Sequence, residues 1–299
     1  MSAVLKNPPP RGERVDIGGG RMMHVICAGP AKNDSPTVVF ESGAFGFSAD
    51  WGVVQEQLAG QDIRSCAYDR AGLGFSDPGP SPRDSTAIVG DLDRLLIAIG
   101  ETDPVLLVGH SMAGLHLRLF AASHPSRVAG VVLVDATTPE SLEEPAVRLF
   151  VRHFTTLTKL AAWGAEVGLF KPLTGTGFAD KIGLSSPANA EKRWAFASGK
   201  HNRWAAAEVA QWGADVVQAI AAGNYDPEIP VAVLLASGAD RNDERWAKQI
   251  APAMASRHGF VETVAGSEHA TLLGLTYADH VVRAVLWIRE AAKALAKAA

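Results

Sequence analysis

Three short runs of near-continuous apolar residues constrain this chain more than any other feature: TVVF (37–40), VLLV (105–108) and VVLV (131–134). Side chains along a strand point alternately to its two faces, so a strand apolar at every position must be covered on both. A sheet sandwiched between helix layers meets that demand. Further strand-like segments lie at 21–29, 63–69, 230–238 and 259–267. Between them the apolar spacing changes to that of helices. Ile88, Leu92, Leu95, Leu96 and Ile99 share one helical face, as do Val281, Val285, Ile288, Ala292 and Leu295. A further helix is expected over 243–256, and Gly18, Gly19 and Gly20 read as a tight turn between two early strands. The expected class is therefore α/β, with a mostly parallel sheet flanked by helices.

Residues 138–228 break this rhythm. No convincing strand occurs there, and several helices are separated by Gly and Pro. The stretch holds Trp163, Trp194, Trp204 and Trp212 together with Phe150, Phe154, Phe170, Phe178 and Phe196. Because it interrupts the alternation between two strands, it is expected to sit on the sheet as a helical cap. Residues 1–137 and 229–299 would then form one core, and a chain of 299 residues is long enough for both.

Composition excludes several classes. The net charge of −4 gives no reason to expect nucleic acid as a partner. The apolar runs are shorter than the ~18–20 residues of a membrane span. The first residues, MSAVLKNPPPRGER, show no apolar leader, so a cytoplasmic location is expected. Cys27 and Cys66, the two cysteines, are expected as reduced core thiols. No H-x-H, H-E-x-x-H or Cys/His cluster appears, and GLGFSD (72–77) lacks the third glycine of a dinucleotide loop. Neither metal nor cofactor is expected. Self-association is left open.

The segment LLVGHSMAGLHLRLFA (106–121) carries the chemistry. It places Ser111 between a buried-type strand and an amphipathic helix. A residue on so sharp a turn is strained, and strand and helix nearly touch there. Gly109, Ala113 and Gly114 supply the small neighbours that such a turn needs. The turn exposes the hydroxyl and aims backbone N–H groups at any charge developing beside it.

VLLVGHSMAG (105–114), AYDRAGLGFSD (67–77) and VVFESGAFGFSADW (38–51) resemble the α/β-hydrolase superfamily. The likeness covers nearly the whole chain outside 138–228, with Ala113 where the usual G-x-S-x-G elbow has its last glycine. It implies eight strands, a cap inserted after the sixth, and a catalytic triad in the order serine, acid, histidine. A serine needs a base with a pKa near working pH. The resemblance puts that base at His269, after the last strand, rather than at His280 within the final helix. It puts the acid at Asp240 in LLASGADRND, with Asp135 after GVVLV as competitor and Asp243 as a helix cap. Backbone N–H groups of Met112 and Ala44 would form the oxyanion hole, Phe45 being the less suitable donor. Ser42 stands where relatives often have His. His110, Asp69 and Arg70 read as structural, the last two holding the loop of Gly72 and Gly74.

These assignments imply acyl transfer through a covalent intermediate. Dehalogenases and epoxide hydrolases of the superfamily carry Asp at the elbow and are set aside. The aromatic content of 138–228 points to small or medium hydrophobic carboxylic esters as substrates. Amides, lactones and C–C bonds are alternatives, as is a ligand-binding member without turnover. Aminopeptidase relatives hold a substrate amine with cap carboxylates, for which Glu140, Glu143, Glu144, Glu166, Glu191 and Glu208 are available.

Overall fold

The computed structural model describes residues 8–31, 35–143, 145–237 and 244–298. Eight strands form one sheet: β1 (Glu13–Asp16), β2 (Met22–Ala28), β3 (Val38–Glu41), β4 (Ser65–Tyr68), β5 (Val105–His110), β6 (Val128–Val134), β7 (Val231–Ala236) and β8 (Gly259–Val264). Their spatial order is β1-β2-β4-β3-β5-β6-β7-β8. The two pairings of β2 are antiparallel and all others parallel.

The apolar runs behave as their pattern requires. Val105, Leu107, Val131 and Leu133 pack into one layer with α2 (Ser85–Ala98), α3 (Ala113–Ser123) and α8 (Glu244–Ala255). Their neighbours Leu106, Val108, Val132 and Val134 pack into the other, with α1 (Gly52–Ala59) and α9 (Ala278–Ala298). Asp84 begins α2 by accepting the Ala87 N–H, and Ile88, Leu92, Leu95 and Leu96 of that helix are buried. Val281, Val285, Ile288 and Ala292 are the buried stripe of α9.

Between β6 and β7 the described residues contain helices and no strand: α4 (Pro145–Glu166), α5 (Ala188–Ala197), α6 (Gly199–Val209) and α7 (Trp212–Ala221). Within this insertion α4 packs along α6, and α7 rests on α3 of the core.

One expectation is corrected. Cys27 and Cys66 are not free thiols but a disulfide with an S–S distance of 2.05 Å. They face each other across the antiparallel pair β2–β4. Register between strands 39 residues apart in sequence is a tertiary fact, so spacing alone did not show it. Such crosslinks belong mainly to oxidising compartments, which weighs against the expected cytoplasmic location. Among the described residues no helix is long and apolar enough to cross a membrane.

Candidate active site

Four described non-glycine residues have left-handed backbone, and three of them are Phe45 (φ 59°), in the loop after β3, Ser111 (φ 58°) and Asp135 (φ 42°). Such conformations cost energy and persist where the surroundings enforce them. Ser111 follows β5 and Asp135 follows β6, the next strand over, where His110 lies level with Val134. The Ser111 backbone is held from both directions. Its N–H donates to Val134 O at 3.2 Å, and its carbonyl accepts from Thr137 N–H at 2.8 Å.

The small residues around Ser111 are required by contact. A Cβ on Gly114 would lie 2.4 Å from the Thr137 carbonyl oxygen, and one on Gly109 2.7 Å from Leu117 Cδ1. Gly43 comes equally close, since its Cβ would lie 2.8 Å from Ser111 Cβ. The 42–46 loop therefore lies directly against the serine. Among the described residues, the N–H groups of Ala44, Phe45 and Met112 donate to no protein acceptor. Unpaired backbone donors beside an exposed hydroxyl are what an oxyanion hole needs.

His269 arrives in the loop between β8 and α9. Ser237 Oγ, just past β7, donates to Ser267 O at 2.9 Å and pins that loop over the sheet edge. His269 Nδ1 then donates to Asp135 Oδ2 at 2.6 Å, while the Asp135 Oδ1 accepts the Ala236 N–H at 3.3 Å. Burial pushes the Asp135 carboxyl up, but the hydrogen bond and charge of His269 outweigh it and leave the group below its ordinary value. The His269 side chain is 52% exposed and so open to a reactant. Asp240, the acid expected from sequence, and Asp243 lie outside the described residues. Ser111 Oγ makes no hydrogen bond to His269 here. The two are linked through His110, whose ring lies 4.4 Å from that of His269 and whose Nε2 donates to His269 O at 2.9 Å. Catalytic hydrogen bonds commonly tighten only with substrate bound.

The insertion holds the 42–46 loop from above. Arg70, fully buried, donates to the carbonyls of Ser42 and Gly43. It is charge-matched by Glu41 below and by Glu208 of α6 at 2.8 Å. Tyr68 donates to Glu41 as well. Lys192 of α5 and His201 of α6 both donate to Phe45 O, at 3.3 and 3.2 Å. Sequence reading placed Arg70 with Asp69, yet Asp69 serves other groups. It accepts the N–H of Ser48 and Phe75 and pairs with His24. Glu208 and His201 were missed because their partners lie more than a hundred positions away, and the pairing leaves no local pattern.

Burial, with added repulsion from nearby cations, pushes His110 and His201 down to about 3. His201 Nδ1 also accepts the Gly74 N–H at 3.0 Å, which only a neutral ring can do. An unfolded histidine titrates near ~6.5. As pH falls below that value the unfolded chain takes up protons that the folded one refuses, so stability declines with acidity. Urea unfolding followed down from about pH 6.5 should show this decline, and His201→Gln should make it shallower. An unchanged slope would contradict neutral burial of His201.

Next to the elbow lies an apolar wall. Met112 and Leu115 pack with Val209 and Trp212, with Ala44, Phe45 and Phe154 at its edge. Phe154 of α4 meets both Phe45 and Trp212 edge-on. A separate open depression of about 1120 Å³ lies at the far end of the sheet, between Thr37, Glu101, Glu228 and Lys293, and holds none of these groups.

A family model of the alpha/beta hydrolase fold matches residues 36–171. The Cfl2 structure from Burkholderia cenocepacia superimposes with a TM-score of 0.73 at 21% identity, covering 93% of this chain and 98% of that one. The enol-lactonase from Burkholderia xenovorans does so with a TM-score of 0.64 at 17% identity, covering 92% and 98%. A cis-3-alkyl-4-alkyloxetan-2-one decarboxylase from Xanthomonas campestris is 29% identical over 175 residues, 50% of this chain and 56% of that protein. The chain spans only 20% and 24% of the length of two other curated relatives. Sheet order, elbow and these likenesses together define an α/β-hydrolase fold. Residues 36–171 are similar to that family, and the whole chain shares its fold with the structures named.

Proposed function

We propose that this protein is a serine hydrolase that cleaves carboxylic esters with apolar acyl or alcohol groups. The observation that carries this reading is the convergence of a left-handed Ser111 and the Asp135–His269 pair around His110. In the proposed cycle His269 Nε2 takes the Ser111 proton as Oγ bonds to the ester carbon. The carbonyl electrons move onto oxygen, which accepts hydrogen bonds from the Met112 and Ala44 N–H groups. Collapse of this adduct breaks the bond to the alcohol, which leaves with the proton from His269. Water, deprotonated by the same imidazole, then releases the acid and restores Ser111. Asp135 keeps Nδ1 protonated and stabilises the imidazolium. The helices of 138–228 act as the cap, and no cofactor takes part.

Three observations support an apolar ester over the alternatives. The surroundings of the elbow are apolar: Met112, Leu115, Val209 and Trp212 form a buried cluster, with the partly buried Ala44, Phe45 and Phe154 packed against it. Four of the carboxylates that could hold a substrate amine are paired with arginines instead: Glu140 with Arg118, Glu166 with Arg203, Glu191 with Arg11 and Glu208 with Arg70. An enol-lactonase is among the similar structures, and oxetan-2-ones, named for another relative, are themselves cyclic esters.

The test is a panel of p-nitrophenyl esters of increasing acyl length, with lactones and aminoacyl amides alongside, plus labelling by a fluorophosphonate. Covalent labelling at Ser111 and a preference for apolar esters over charged amides are expected. Absence of labelling would make the protein a ligand-binding member, and a preference for amides would overturn the ester reading.

A further inference from the structure

The aromatic and aliphatic residues of the insertion divide between two faces. Val151, Phe154 and Thr158 of α4 turn inward. Phe150, Leu157, Leu160 and Trp163 turn outward from the same helix and are 58–65% exposed. Their spacing of seven and then three residues sets them along one side of the helix. Phe178, further along the insertion, is also 65% exposed. A soluble protein rarely leaves so many large apolar groups contiguous and wet without a partner.

The charge around this stripe is opposite to that of the whole molecule. The chain carries −4, yet residues 145–181 hold five basic and two acidic residues. Both acids are already engaged. Glu166 pairs with Arg203, and Asp180 accepts the backbone N–H groups of Ile182, Gly183 and Leu184. Arg152, Lys159, Lys171 and Lys181 are exposed, and among the described residues none of them has an ion-pair partner. Lys181 instead lies 5.3 Å over the Phe178 ring. On α4 the cations Arg152 and Lys159 border the apolar stripe.

We propose that this outer face of α4 docks on an anionic lipid bilayer surface. A helix lying in the interface buries Leu, Phe and Trp to the depth of the acyl chains, while Lys and Arg at its border reach the headgroups. The four unpaired cations supply the complement to acidic lipid. A two-fold pairing of the face with a second copy would instead set the same cations opposite one another. The docking is independent of the ester reading, because it is measured without turnover.

The experiment is flotation of the full chain with vesicles of phosphatidylcholine alone or of phosphatidylcholine with phosphatidylserine. Binding is expected only to the second kind, with release in high salt. Arg152→Glu/Lys159→Glu should weaken it by roughly tenfold or more, and Leu157→Ser/Leu160→Ser should abolish it. Ser111→Ala should bind as well as the wild type. Failure of the wild type to float with anionic vesicles overturns the proposal. So does a wild-type dimer in light scattering that Leu157→Ser/Leu160→Ser splits, since the face would then be covered by a second copy. Equal binding to both vesicle types would overturn the role given to the cations.

Discussion

Replacement of Ser111 by alanine should lower turnover of the best ester by about 10⁴–10⁶-fold, with little change in KM. The loss is large because the hydroxyl is proposed to form and break the covalent bond itself. What survives would be the rate that water achieves when the apolar wall and the Ala44 and Met112 N–H groups still orient and polarise the carbonyl. Alanine keeps the Cβ that touches Gly43, so packing at the elbow is preserved. Its thermal unfolding should match the wild type. Ser111→Gly sharpens the test, because glycine enters left-handed backbone without strain. It should be as inactive as the alanine variant yet more stable, by on the order of 1 kcal/mol. Strain stored at a working residue predicts that opposition of activity and stability. Ester turnover unaffected by both changes would remove Ser111 from the chemistry.

The central architecture was legible because it follows from local pattern. Val105, Leu106, Leu107 and Val108 can all be buried only between two layers, and the layers they enter are the ones the structure contains. The need for Gly109 was equally readable, since its close neighbours Ala113 and Leu117 lie within ten residues, whereas the contact that requires Gly114 is with Thr137, beyond β6. What was not legible depends on registers and distant partners. The facing of Cys27 and Cys66 is decided by how β2 pairs with β4. Arg70 sits beside Asp69 in sequence, yet its charge is matched by Glu41 and Glu208, which the fold brings from either side. Aromatic composition showed that the insertion would be apolar. It could not say that Phe154 would turn toward Phe45 while Trp163 turned to solvent. That division is set by how α4 lies on α6, a tertiary contact.

Asp135→Asn should cost about 10⁴-fold in kcat, more than the same change at Asp240. Both aspartates follow strand-like segments of the sequence, so position along the chain did not separate them, and resemblance favoured the later one. The distance argues for the earlier: Asp135 Oδ2 lies 2.6 Å from His269 Nδ1. In the proposed cycle the carboxylate there would fix the imidazole with its proton on Nδ1 and leave Nε2 free to accept from Ser111. It would also supply a negative charge to the imidazolium formed during the proposed attack. Its lowered pKa means that this charge is present throughout the neutral range. An amide carries no charge and can turn its NH₂ toward the ring, which favours the wrong tautomer. Asparagine tolerates left-handed backbone, so the strand end at φ 42° should survive the exchange. The measurement is kcat for Asp135→Asn and Asp240→Asn on one ester, with fluorophosphonate labelling rates for both. If Asp240→Asn is the slower enzyme by both readouts, the acid belongs to the loop after β7, and the Asp135–His269 contact is a resting arrangement rather than the working one.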